Sequence, residues 1–77
     1  MYELAEYLVK SLIGEDQKYL IEYDEDAGEL NIFVSKDAIG KVIGKQGRIA
    51  KAIRSIIKAS AMKRKLRVNV EIKELEE

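Results

Sequence analysis

The spacing of hydrophobic residues in the first half of the chain predicts a helix followed by a β-hairpin. Between residues 2 and 13, apolar side chains recur every three or four positions, which is the spacing of one face of an α-helix, and Gly14 predicts its end. Apolar residues then recur at every second position over 19–23 and 30–34, as in half-buried strands. The segment 24–28 between them is rich in turn-forming residues, so the two strands should pair as a hairpin.

Two hydrophobic residues of the hairpin are out of phase with this core pattern. Leu20 and Phe33 alternate with the residues that should face the core, so we expect them on the outer face of the sheet. Such residues are either scattered surface hydrophobes or part of a self-association patch, and the sequence leaves both interpretations open.

The second half of the chain predicts two helices. Ser35 or Asp37 can cap a short helix that runs to about Ile43, within which Gly40 would permit close packing. A second, amphipathic helix over 48–61 has a basic face and an apolar face. The residues expected on its apolar face are Ile49, Ala52, Ile53, Ile56, Ile57 and Ser60.

The last predicted element is a strand, because apolar and polar residues alternate over 66–72. The complete order of elements is therefore αββααβ. The simplest arrangement of these elements is an α+β fold in which three helices cover one face of a three-stranded sheet. A chain of 77 residues has room for one such domain, and we assign residues 1–77 to it.

The composition excludes several classes of function. The chain has no cysteine and no histidine, so it lacks a disulfide framework, the commonest metal ligands and the commonest general base. We therefore expect no metal, no cofactor, no small-molecule substrate and no enzymatic activity. No apolar run approaches the roughly 18 residues of a membrane span, and the N-terminus lacks a basic signal-peptide region, which favours a cytoplasmic location without a membrane partner.

The charges are segregated along the chain although the net charge is zero. Residues 1–35 carry nine acids and two bases, whereas residues 36–70 carry eleven bases and the single acid Asp37. Residues 71–77 are again acidic, with four acids and one base. The basic half should attract a polyanion, although a solvated surface would give the same composition.

Gly44 and Gly47 bracket a predicted turn within this basic half, between the two predicted helices. Glycine adopts positive φ at low cost and lets another chain approach closely, and the following helix offers unpaired N–H groups, so an anion is the natural ligand. The spacing excludes a Walker loop, because Gly40 is one residue too close to Gly44 and Gln46 stands where a hydroxyl is required. A Rossmann fingerprint is excluded as well, because its glycines directly follow a strand.

The segment 43–49, in its αββααβ context, resembles the K-homology (KH) domain of single-strand RNA-binding proteins in its type II form, and this resemblance covers residues 2–73. More narrowly, the segments 40–48, 50–54 and 68–72 are similar to those of the small bacterial single-KH proteins called KhpA. The resemblance implies that the GXXG loop clamps about four nucleotides of single-stranded backbone.

The resemblance also implies roles for individual residues. Gly44 and Gly47 would allow close approach, Lys45 would add charge, and Gln46 would donate a neutral hydrogen bond or face solvent. The complete candidate RNA-binding set is Gly44, Lys45, Gln46, Gly47, Arg48, Lys41, Ile43, Lys51 and Arg67. By the same resemblance, RNA bases would lie in a groove formed by the two helices that the loop joins and by the last strand near Arg67 and Asn69. Several aliphatic residues there could belong either to the groove or to the core: Ile39, Val42, Ile43, Ile49 and Ile53.

The function implied by the resemblance is that of a non-catalytic single-stranded RNA-binding protein, acting as an RNA chaperone or post-transcriptional regulator. One KH surface should bind weakly, and such proteins are expected to form a homodimer or a heterodimer with a larger Jag-type KH protein, which would place two surfaces on one RNA. Two alternatives remain open, namely a protein–protein interaction adaptor and a binder of single-stranded DNA.

Overall fold

The computed structural model describes residues 1–14 and 17–76, with only the backbone of residues 43–46. Its elements are α1 (Tyr2–Leu12), β1 (Tyr19–Asp24), β2 (Glu29–Val34), α2 (Lys36–Lys63) and β3 (Asn69–Glu74). The α+β fold predicted from the hydrophobic pattern is therefore confirmed. In the described part of the chain, no helix is long and apolar enough to cross a membrane.

The N-terminal helix α1 packs one face against the rest of the protein. It buries Ala5, Leu8 and Val9, which follow the helical spacing seen in the sequence. After the helix, Gly14 has a φ of 128°, and its N–H donates to the carbonyl oxygen of Val9 at 3.2 Å. The helix therefore ends at this glycine as predicted, and residues other than glycine rarely adopt the backbone conformation found there.

The three strands form one mixed sheet in which β2 is central. Strands β1 and β2 pair antiparallel as the predicted hairpin, with Leu20 opposite Phe33. Strand β3 pairs parallel with β2, so the long connection through α2 returns the chain to the same end of the sheet at which β2 began. Leu20 is exposed, which agrees with its expected place on the outer face of the sheet.

Helix α2 is a single helical span that contains both of the predicted helices. Ser35 caps it, because its Oγ accepts a hydrogen bond from the N–H of Ala38 at 3.3 Å. Inside the span, Gly47 has a φ of 67°, a left-handed value that is foreign to a regular α-helix. The second and third helices of the αββααβ order therefore meet at Gly47, and the predicted four-residue turn contracts to one left-handed residue.

The end of α2 moves the start of the last strand from the predicted residue 66 to Asn69. Lys65 has a left-handed φ of 59°. The N–H of Leu66 donates to the carbonyl oxygen of Ala61 at 2.8 Å, and the N–H of Lys65 donates to that of Met62 at 3.0 Å. This is the Schellman arrangement that closes helices, and it engages the residues that would otherwise have extended β3.

The core lies between the sheet and the helices. Leu30, Ile32 and Val34 of β2 are fully buried, as are Ile53 and Ile57 of α2. Because β2 is central and pairs with both other strands, its inward side chains lie in the middle of the buried cluster.

Two sequence-based expectations about α2 are wrong. The buried stripe after Gly47 includes Ala50, whereas Ile56, expected on the apolar face, is 43% exposed and lies on the flank of that stripe. The predicted apolar face of this helix is therefore rotated about the helix axis relative to the face that is buried. Gly40 does not serve close packing either, because a Cβ added to it would meet no atom within 4 Å.

Candidate nucleic-acid interface

The point at which the two halves of α2 meet combines left-handed backbone with open space. A φ of 67° at Gly47 is a conformation in which a Cβ is costly, so glycine is the residue that suits it. A Cβ added there would nevertheless meet no atom within 4 Å, so the space above the residue is free. Another chain can therefore approach the backbone of Gly47 closely.

Exposed basic side chains flank Gly47 on both sides. Lys41 precedes it, Arg48 and Lys51 follow it, and all three side chains are exposed. The ion pairs found among the described residues join Lys10 to Glu6 and Lys73 to Glu71, and none of them neutralises these bases. Their positive charge is available to an external anion.

Arg54 belongs with this group although the candidate set omitted it. It is exposed and follows Arg48 and Lys51 at intervals of three residues, which places the three bases along one side of the helix. Its Nε donates to the carbonyl oxygen of Ala50 at 3.4 Å, which directs the guanidinium back along α2. The repeated interval of three was the sequence signal that could have included it.

The aliphatic residues around Gly47 divide between core and surface. Val42 and Ile53 are fully buried and belong to the core. Ile39 and Ile49 are half-buried and pack against the core at its margin, so each keeps part of its side chain exposed beside the bases. Among the described side chains of the candidate groove, these two are the partly exposed aliphatic residues.

Arg67 lies in a different part of the fold. It directly precedes the last strand, where a Cβ added to Gly28 would come within 2.5 Å of its carbonyl oxygen. It therefore stands beside the hairpin turn, beyond the C-terminal end of α2. About 24 Å of helix separates that end from Gly47.

Four residues of the candidate set lie outside the described side chains. They are Ile43, Gly44, Lys45 and Gln46, of which only the backbone within α2 is described. The described members around the junction are thus Lys41 before it, Gly47 at it, and Arg48 and Lys51 after it.

The arrangement of a mixed three-stranded sheet with helices on one face and a glycine junction between two basic helical segments agrees with a comparison of sequences. A family model described as "KhpA/KhpB, KH domain" matches residues 2–72. The chain belongs to the KhpA/KhpB KH-domain family. The type II KH fold implied by the sequence resemblance is therefore confirmed.

Individual relatives within the KhpA/KhpB family are similar over nearly their whole length. A protein of Clostridium perfringens named "RNA-binding protein KhpA" is 47% identical over 76 residues, which cover 94% of this chain and 99% of that protein. Its namesake in Clostridium acetobutylicum is 49% identical over the same coverage. That of Borreliella burgdorferi is 40% identical over 72 residues, covering 91% of this chain and 88% of the relative. No solved structure matches the chain.

Proposed function

We propose that this protein binds single-stranded RNA without catalysis and grips the phosphate backbone at Gly44, Lys45, Gln46 and Gly47. One observation carries the proposal, namely the left-handed backbone of Gly47, which faces open space between exposed bases of α2. Membership of the KhpA/KhpB family supports it, since several relatives are named RNA-binding proteins. KH domains use a loop of this type to hold about four nucleotides of single-stranded backbone.

Phosphate contacts supply most of the affinity in this proposal. The absence of a Cβ at Gly47 lets a phosphate reach the backbone, and Lys41, Lys45, Arg48 and Lys51 surround that position with positive charge. These contacts fix the position of the strand without reading its sequence.

The bases of the RNA are expected to lie next to the apolar margin of the core. Ile39 and Ile49 offer half-exposed side chains there, and Ile43 is the third aliphatic residue of the proposed groove. Arg67, beyond the C-terminal end of α2, would contact a longer RNA strand at a second point. Sequence preference, where it exists, should come from these contacts to the bases.

The cellular role that fits this chemistry is that of an RNA chaperone or post-transcriptional regulator in the cytoplasm. A single small KH surface binds weakly, so pairing of two surfaces would raise the effective affinity. We propose a homodimer, or a heterodimer with a larger KH protein of the Jag (KhpB) type, as the functional unit. The shared KhpA/KhpB family description supports that pairing.

A doubly acidic variant of the loop tests the proposal. Lys45→Asp with Gln46→Asp replaces attraction of phosphate by repulsion, so the affinity for a fluorescein-labelled single-stranded RNA, measured by anisotropy, should fall at least about tenfold. Lys10→Asp with Ser11→Asp on α1 is the matched control, because it makes the same change in charge at neighbouring exposed positions. The control should lose far less affinity than the loop variant.

Equal RNA affinity of the folded loop variant and the wild type would contradict the proposed grip on the backbone. Circular dichroism of both variants checks the fold. A parallel titration with DNA of the same base sequence distinguishes the two nucleic acids, because contact with the 2′-hydroxyl must appear as a difference in affinity. An adaptor that binds a protein segment would keep its partner in the loop variant.

A further inference from the structure

The outer face of the sheet, opposite the helices, carries a small apolar groove. Leu20 and Phe33 stand directly opposite each other on β1 and β2. Leu20 is 48% exposed, and together with Phe33 and Leu75 it lines a groove of about 370 Å³. None of the described helices covers this face, since its residues remain exposed or half-exposed. The solvent-facing side of a sheet is ordinarily polar, so adjoining apolar residues there indicate a contact surface.

Carboxylates border the groove on two sides. Towards the hairpin turn, Glu22 of β1 and Glu71 of β3 lie in the next row across the sheet. Away from the turn, Glu74 and Glu76 line the groove. All four glutamates are exposed. We call these four glutamates together with Leu20, Phe33 and Leu75 the outer-sheet patch.

The protein's own Lys73 shows how this surface holds a cation. Its Nζ lies 3.1 Å from Oε2 of Glu71 and 5.9 Å from the ring centroid of Phe33. The ammonium group is therefore held by a carboxylate and an aromatic ring together, within the range of a cation–π contact. The side chains of this ion pair are 49% and 52% exposed, so an external cation can reach the same place. Four glutamates and one lysine leave this surface with a net charge of −3.

We propose that the outer-sheet patch binds an arginine-rich, partly apolar segment of another protein. An apolar side chain of the segment enters the groove between Leu20, Phe33 and Leu75, and an arginine on each side of it meets the glutamates. Arginine suits the surface because its planar guanidinium stacks on aromatic rings and donates two parallel hydrogen bonds to a carboxylate. The same negative charge repels RNA from this face.

The spacing of the rows defines the pattern of the bound segment. Successive outward side chains on one strand are about 6.7 Å apart, which is twice the rise per residue. An extended segment lying along the strands repeats that distance. Its arginines therefore stand two positions before and two positions after its apolar residue, as in Arg-x-Leu-x-Arg with small polar residues at x.

The outer-sheet patch and the proposed RNA loop belong to different layers of the fold. Gly47 is part of α2, and the core lies between that helix and the sheet. One molecule can therefore hold an RNA strand on its helical layer and a basic protein segment on its sheet. The inference goes beyond the proposed function and does not depend on it.

A titration of the full chain, labelled with ¹⁵N and free of RNA, tests the proposal by nuclear magnetic resonance. The probe is the peptide Gly-Arg-Ser-Leu-Ser-Arg-Gly. Amide signals of the outer-sheet patch should shift and saturate, whereas those of α1 and α2 should not. The contact is small, so at 50 mM salt we expect a dissociation constant of about 0.1–1 mM. Raising the salt to 300 mM should weaken binding at least about threefold, because the charges are exposed.

Charge reversal identifies the glutamates. Glu22→Lys with Glu71→Lys should weaken peptide binding at least about tenfold, because it replaces attraction of arginine by repulsion. Glu3→Lys with Glu25→Lys is the matched control, since it makes the same change in charge at exposed positions outside the patch. Equal weakening by the two variants would overturn the proposal, because generic charge attraction would then suffice.

Removal of the resident cation should have the opposite effect. Lys73→Gln frees Glu71 and the ring of Phe33 for the peptide, so binding should tighten at least about threefold. Lys10→Gln is the matched control, because Lys10 also forms an exposed ion pair on its own element, with Glu6 at 3.8 Å. A gain no larger than that of Lys10→Gln would contradict the shared cation site.

A double-mutant cycle tests the apolar contact. Leu20→Ser in the protein and leucine to serine in the peptide should each weaken binding at least about threefold, since each removes apolar contact area without changing any charge. The two changes together should weaken it little further, because they remove the same contact. Fully additive losses would overturn the placement of the leucine in the groove.

Three further results would overturn the proposal. The first is the absence of saturable shifts at the patch with 5 mM peptide. The second is equal affinity for spermidine, which would make the patch a site for small polycations. The third is self-association of the wild type that Glu22→Lys with Glu71→Lys abolishes in sedimentation equilibrium, because a second copy would then cover the patch. Circular dichroism checks the fold of every variant.

Discussion

Gly28 and Gly40 carry the same side chain but should respond oppositely to alanine. Gly28 has a φ of 68°, and a Cβ there would lie 2.5 Å from the carbonyl oxygen of Arg67, whereas Gly40 is helical with nothing near the added atom. We expect Gly28→Ala to lower the free energy of unfolding by about 2 kcal/mol or more, from left-handed strain and the clash together. Gly40→Ala should raise it by about 0.5–1 kcal/mol.

Urea unfolding followed by circular dichroism measures both changes. Gly28 cannot move away without cost, because its carbonyl oxygen accepts a hydrogen bond from the N–H of Asn69 at 2.7 Å at the start of β3. A Gly28→Ala variant as stable as the wild type would show that this turn can relax. Destabilisation by Gly40→Ala would show that its open surroundings do not hold in solution.

The identity of a glycine does not reveal which of its properties the fold uses. The sequence assigned close packing to Gly40 and close approach to Gly47, and both lie in the same basic segment. The structure leaves Gly40 without neighbours and gives the left-handed φ to Gly47. The difference depends on where the two halves of α2 must change direction to cover the sheet, which neighbouring residues alone do not encode.

At the scale of the element, Ile56 and Ile57 of α2 separate surface from core. The two residues are adjacent and chemically identical, but Ile56 is 43% exposed and Ile57 is fully buried. Ile57→Ala should lower the free energy of unfolding by about 3–4 kcal/mol, because it removes buried methyl groups and leaves a cavity. Ile56→Ala should lower the free energy of unfolding by less than about 1 kcal/mol, because much of the Ile56 side chain is already exposed.

The difference between the two midpoints of urea unfolding is the measurement. Both substitutions improve the helix propensity equally, so propensity cancels in the comparison. Comparable losses for the two variants would mean that Ile56 is buried in solution, either against the core or against a second copy. In the latter case the loss would depend on protein concentration.

Helix and strand positions were largely predictable from the sequence, whereas the rotation of α2 was not. The pattern in residues 2–13 and the hairpin segments gave α1, β1 and β2 within about two residues, because each amphipathic face repeats locally. In α2, small and large apolar residues are adjacent, so the pattern fits a buried face that includes Ile56 as well as one that includes Ala50. Which of them is buried depends on contact with the sheet, and that contact is a tertiary property.

At the scale of the whole molecule, folding turns segregation along the chain into segregation over the surface. The acids of β1 and β2 alternate with core residues and face outward, while the bases of α2 lie on the other layer. The parallel return of β3 brings Glu71 onto the acidic face although it follows the basic half directly. The sequence showed the charges, but their division between two faces required the pairing of β3 with β2.

This division predicts how salt should affect RNA binding. If Lys41, Lys45, Arg48 and Lys51 contact three or four phosphates, the logarithm of the association constant should fall with that of the salt concentration with a slope of about −2 to −3. Lys51→Gln should make the slope shallower by about 0.7, whereas Lys10→Gln, on α1, should leave it unchanged. Fluorescence anisotropy from 50 to 300 mM potassium chloride provides both slopes. A slope near zero would mean that contacts with the bases, through residues such as Ile39 and Ile49, outweigh the phosphate contacts, and that the basic surface of α2 only orients the approaching strand.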